Sequence, residues 1–129
     1  MLRVVRLGTP RAPHEGLRVG TVRRLPRGVR KEDYARRDFF DLWLPELAPS
    51  EALFATTRGG ALADPRKWKV FARKYQAEMR KPAPQHVLAL LAALSRRTDL
   101  SVGCYCEDES RCHRSVLKKL LAGHGAQVE

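Results

Sequence analysis

Leu100-Ser101-Val102-Gly103-Cys104-Tyr105-Cys106, running on into Glu107-Asp108-Glu109-Ser110-Arg111-Cys112-His113-Arg114, is the stretch whose reading decides the fold. Its first seven residues form a short apolar run closed by an acidic cluster, which predicts a buried strand. Helical patterns stand on both sides of it. A strand preceded and followed by helices commonly lies parallel to its neighbours in a covered sheet. The expected fold class is therefore α/β: a small, mostly parallel sheet flanked by helices in a sandwich.

Working outward, three helices follow from spacing. Asp64 is placed to cap a helix with Pro65 at its first position, and Trp68, Phe71, Tyr75 and Met79 draw one apolar stripe along it. Pro84 opens the next, with Val87, Leu88, Leu91 and Leu94 as its stripe. The last is expected to begin near Ser110, turn Val116, Leu117, Leu120 and Leu121 inward, and stop at Gly123. A short turn over Ser50 to Phe54 precedes the first. Towards the N-terminus, Leu2 to Leu7 and Leu17 to Leu25 read as strands, separated by the Gly- and Pro-containing stretch 8–16. Asp38-Phe39-Phe40-Asp41-Leu42-Trp43-Leu44 fits either a third strand or a buried apolar connection, closed by Pro45. Ligands in parallel sheets bind beyond the carboxyl ends of the strands, which directs attention to the turns after Leu25 and Cys106.

The chain has 129 residues, 43% of them hydrophobic and 30% charged. That composition suits one domain over residues 1–129 with one modest core, and excludes a disordered or low-complexity chain. No apolar run approaches the roughly 20 residues of a membrane span. With no signal-like segment at the start, the expected location is cytoplasmic and no membrane partner is expected.

The net charge is +11, and residues 1–40 hold eleven basic side chains against four acidic ones. Arg23, Arg24 and Arg27 crowd a turn containing Pro26 and Gly28. Arginine bonds phosphate in bidentate fashion, so this turn suits an anionic partner: a phosphorylated small molecule, a nucleotide or a nucleic acid. A solvated basic surface is the plainer alternative.

Three cysteines lie within nine residues, an odd number and therefore no disulfide framework. Cys104 and Cys106 share a strand face. Cys112, His113 and Arg114 fall at a helix start, where free N–H groups and the dipole favour an anion and depress a thiol pKa. Cys112 is thus the candidate nucleophile, His113 a candidate acid, base or anion contact, and Arg114 a ligand-binding group; Glu107 could supply an acid or base beside the thiols. Cys104, Cys106, Cys112 and His113 also form the right donor set for zinc, although the spacing lacks paired knuckles, and no metal is favoured over the anion reading. The remaining alternative is structural: three thiols packed as small hydrophobes, with His113 exposed.

Several blocks carry a family resemblance. Val22-Arg23-Arg24-Leu25-Pro26-Arg27-Gly28, Asp41 to Ser50, Trp68 to Tyr75, and the closing Cys106-Glu107 with Cys112-His113-Arg114 resemble the successive blocks of the domain of unknown function 488 family, in its branch of small basic proteins. The resemblance runs from about residue 2 to 121. It implies a compact α/β domain whose blocks meet at one cleft, and it implies no established reaction or cofactor. The positions that match the family's site blocks are Arg24, Pro26, Arg27, Gly28, Cys106, Glu107, Cys112, His113 and Arg114. One departure is evident: many relatives read Asp-Arg-Leu-Trp-Pro-Arg-Gly in the first turn, whereas this chain has neither the acid nor the aromatic there.

Overall fold

Strand β1 (Leu2–Arg6) and strand β4 (Leu100–Cys104) are the two five-residue strands of a sheet that also contains β2 (Leu17–Gly20) and the short β3 (Leu42–Trp43). The computed structural model describes residues 1–129. The strand order is β1-β4-β2-β3, and every pairing is parallel, with Leu2 opposite Leu100, Arg6 opposite Cys104 and Gly20 opposite Gly103. All carboxyl ends therefore emerge at one edge. The chain lays down β1, β2 and β3 moving outward and then returns to insert β4 between β1 and β2, so the direction of winding reverses beside β4, where α/β folds place ligands. The expected α/β class and the expectation of a parallel sheet are both borne out.

Side chains alternate across each strand, and the two faces bury different chemistry. Leu2, Val19, Leu100 and Val102 point to one face, where they meet the helices α1 (Glu51–Ala55), α2 (Pro65–Met79), α3 (Pro82–Ser95) and α4 (His113–Gly123). Phe71, Tyr75 and Met79 of α2, Leu88 and Leu91 of α3, and Val116, Leu117 and Leu121 of α4 complete that core. Asp64 caps α2 by accepting from the Arg66 N–H at 2.9 Å, as the Asp-Pro pair predicts. Trp68 stays at the rim, stacked on Phe71 at 5.8 Å.

Irregular chain covers the opposite face. Arg18 is fully buried there: its Nε and Nη2 donate to Glu15 at 2.7 and 2.8 Å, and its Nη1 to the carbonyls of Thr9 and Asp38 at 2.9 and 2.7 Å. Ser101 of β4 donates to the same Glu15 carboxylate at 2.9 Å, tying this network to the central strand. Gly20 lets the Phe40 ring close onto the sheet, since a Cβ at that position would lie 2.5 Å from it.

Boundaries differ from expectation in several places: β1 ends at Arg6 rather than Leu7, and β4 at Cys104 rather than Cys106. β2 stops at Gly20 rather than Leu25, because Thr21 bonds to the Gly103 carbonyl through both its N–H and its hydroxyl and the chain turns away. Only Leu42–Trp43 of the 38–44 segment is strand, while Phe40 is buried as connection. α3 opens at Pro82, with Pro84 buried in its first turn. A 3-10 turn over Glu109–Arg111 precedes α4, which starts at His113 with Cys112 as its cap residue rather than near Ser110.

Candidate functional site

Cys104 ends β4 on the same face as Leu100 and Val102, towards the helices. Beyond it the chain bends through Tyr105 and Cys106. Asp108 then anchors the 3-10 turn, its Oδ1 accepting from the Ser110 N–H at 3.0 Å and from the Ser110 hydroxyl at 2.6 Å. This turn brings Cys112 back over the end of β4. The sulfur atoms of Cys104, Cys106 and Cys112 consequently all lie within 4.8 Å of one another, with Cys104 and Cys106 at 3.6 Å. Cys104 and Cys112 are buried and Cys106 is exposed.

These three thiols do not share one protonation state. Cys112 is held well below the ordinary thiol range by the thiols of Cys104 and Cys106 as donors, then by the backbone N–H of Arg114 and the charge of its guanidinium, which together outweigh burial. Cys104 and Cys106 are pushed up correspondingly. Arg114 is 3% exposed, has no carboxylate partner, donates through Nη2 to the Cys106 carbonyl at 2.5 Å, and leaves its buried Nε without any partner. A buried guanidinium demands a counter-charge, and the Cys112 thiolate is the anion that its position supports.

His113 is buried, not exposed. Its Nε2 lies 2.7 Å from the Thr21 carbonyl, which fixes the proton on Nε2 and leaves Nδ1 as an acceptor 3.7 Å from the Cys112 sulfur. Burial lowers its pKa to about 4, so the ring is neutral at pH 7. Its other contact is the Tyr75 ring, edge-on at 5.4 Å.

A cavity of about 300 Å³ opens above the cluster. Cys104, Cys106, Cys112 and His113 line one side and Arg23, Arg24 and Arg111 another, so the two turns singled out in the sequence converge. The three arginines differ in freedom. Arg23 is spent on the Pro49 and Pro45 carbonyls at 2.9 and 3.1 Å. Arg24 is engaged by both oxygens of Glu51 and lies 5.1 Å from the Phe54 ring centre. Arg111 has no acidic partner.

A family model described as that of the active DUF488-N3 subclade matches residues 2–125. The chain belongs to the DUF488-N3 family. The resemblance drawn from the sequence blocks is thereby borne out. Uncharacterised proteins of Mycobacterium bovis and of two Mycobacterium tuberculosis strains, CDC 1551 and H37Rv, are each 31% identical to it over 122 residues, covering 95% of this chain and 94% of each relative. No solved structure matches it significantly.

The other residues singled out in this DUF488-N3 chain lie around the cavity rather than in it. Arg27 lines an adjoining groove. Gly28 takes a positive φ of 73° in the turn, in open space. Glu107 points into solvent, 3.5 Å from Arg6. Arg111, Phe54 and Tyr105 were not singled out by sequence reasoning, yet all three line the cavity. For Arg111 a signal existed: Asp108-x-Ser110 is a capping pair, and a tight turn there carries residue 111 back alongside Cys112. The three clustered sulfurs also fit the donor set of a tetrahedral zinc ion, whose bonds to sulfur are about 2.3 Å. His113 stands outside that group, with Nε2 committed to Thr21.

Proposed function

We propose that this DUF488-N3 protein binds a phosphorylated, nucleotide-like anion in the thiol cavity, with the Cys112 thiolate as the reactive group at its floor. The observation that carries this reading is that Arg111, free of any carboxylate, lines the same cavity as the three thiols. A guanidinium with open donors matches phosphate oxygens, and the apolar wall of Phe54, Phe71 and Tyr105 suits the planar part of a nucleotide. Arg114 keeps the thiolate charged from below. His113, neutral and oriented by Thr21, holds its Nδ1 3.7 Å from the sulfur, where it can take a proton from a bound ligand. Titration calorimetry with nucleoside monophosphates tests the reading: Arg111→Ala is expected to weaken binding about tenfold or more, the loss of one charge-assisted contact. Absence of binding by sulfate, nucleotides and oligonucleotides alike overturns it.

The mutual distances of the three sulfurs support a second reading, a zinc-dependent regulatory or structural module. Metal analysis of protein purified without chelator decides it. Near-stoichiometric zinc that disappears in Cys104→Ser and Cys112→Ser supports this reading, and folded metal-free protein removes it.

A further inference from the structure

The thiol cavity does not end at its mouth. Arg24, Phe54 and Tyr105 also form part of the wall of a second depression, of about 500 Å³, which continues over Phe39 and Leu25 to Arg27 and Arg58. The two depressions are neighbours across a ridge of these three residues, in which the Tyr105 hydroxyl donates to the Arg24 carbonyl at 2.9 Å. The far depression suits a polyanion: neither Arg27 nor Arg58 has an acidic partner, whereas Arg24 on the shared ridge is paired with Glu51. Between the cations stand half-buried aromatic rings. Phe39 and Tyr105 meet edge-on at 6.2 Å, the Arg24 guanidinium lies 5.1 Å from the Phe54 centroid, and that of Arg37 lies 5.9 Å from the Phe39 centroid. Leu25, 44% exposed, adds an apolar floor.

Isolated phosphate or a mononucleotide would fill only the thiol cavity and leave Arg27 and Arg58 unanswered. A phosphopeptide would use the arginines but not the interleaved rings. Rings and guanidinium planes alternating with unpaired arginines are what a single strand uses, its bases stacking while its phosphates are neutralised. We infer that the ligand is a short single-stranded oligonucleotide, whose terminal nucleotide occupies the thiol cavity and whose next nucleotides run over Tyr105 and Phe39 to Arg27 and Arg58. This inference rests on the nucleotide reading of the thiol cavity and extends it by a second subsite.

The test compares a mononucleotide with trinucleotides of the same terminal residue, ribose and deoxyribose, by calorimetry and fluorescence anisotropy across a salt series. The trinucleotide is expected to bind at least about tenfold more tightly, as one stacked base provides. Its log–log salt slope should be steeper by about 1.4, the effect of two more neutralised phosphates on a single strand. Arg58→Ala and Arg27→Ala should each cut trinucleotide affinity more than mononucleotide affinity and remove about 0.7 from the trinucleotide slope. Comparing the two sugars reads which nucleic acid is preferred, and tighter binding of either trinucleotide supports the inference. If mononucleotide binds and neither trinucleotide binds better, or if a phosphopeptide of equal charge binds as well, the second subsite is overturned while the nucleotide reading stands. If nothing binds, both fall. A variant that lowers affinity for both ligands equally, with an unchanged salt slope, shows a structural role and likewise overturns the subsite.

Discussion

The protein buries two arginines, one on each side of its sheet, and they are treated in opposite ways. Arg18, among the loops, is saturated by both oxygens of Glu15 and by two backbone carbonyls. Arg114, on the helical side, has one carbonyl, one orphaned Nε and no carboxylate. A buried charge with all three nitrogens bonded and a carboxylate partner holds structure. A charge left open acts on its neighbours, and Arg114 adds to the Cys104 and Cys106 thiols in holding Cys112 low. The contrast separates scaffold from site without reference to any ligand.

The harshest way to break the comparison is on the saturated side. Glu15→Ala leaves a buried guanidinium uncompensated and is expected to cost about 3–5 kcal/mol in urea unfolding, whereas an apolar replacement of the pair, Glu15→Leu with Arg18→Met, should recover most of that loss. Acid should attack the other side first. His113 has its folded pKa depressed, so its contribution is complete above its ordinary value of about 6.5 and is lost as pH falls towards about 4, some 3 kcal/mol in all. The Cys112 thiol, depressed to about 3, makes stability rise with pH over a wider window, from about 3 to its ordinary value of about 8.5, while Glu15 lies below the usual carboxylate range. Thermal unfolding of metal-free protein between pH 7 and 4 should therefore show a decline that His113→Gln flattens.

Arg114→Met sharpens the contrast at smaller cost. It should raise the Cys112 pKa, seen as an upward shift of the pH at which the iodoacetamide alkylation rate is half-maximal. Arg18→Met should leave that rate per folded molecule untouched. The smallest effect on stability is expected from Arg111→Ala, within about 0.5 kcal/mol by urea unfolding, because that side chain bonds to no carboxylate. Its consequence should appear in anion binding alone.

Much of this was legible in local pattern. The Asp64-Pro65 start and its aromatic stripe defined α2, and the apolar run at 100–106 located β4, which ends two residues earlier, at Cys104. Long-range pairing was not legible: nothing local to Leu100 specifies insertion between β1 and β2, because that register is set by the cores of both faces together. Nor could the pairing of Arg24 with Glu51 be read, since residues 27 positions apart meet only through the fold. The same holds for His113, whose Nε2 meets the carbonyl of Thr21, the residue just past the end of β2 at Gly20.

The central place of β4 has a consequence for how the protein is made. Leu2 pairs with Leu100, so the sheet closes over contacts nearly a chain length apart, the kind that folds slowly and late. During synthesis β1 and β2 emerge with a vacant slot between them, and no partial chain can assemble the thiol cluster before residues 100–121 have left the ribosome. Until then the arginines of the first turn face no cavity, and the cysteines, when they appear, are ordinary thiols. The clustering of the three thiols around Cys112 thus waits on the last step of folding.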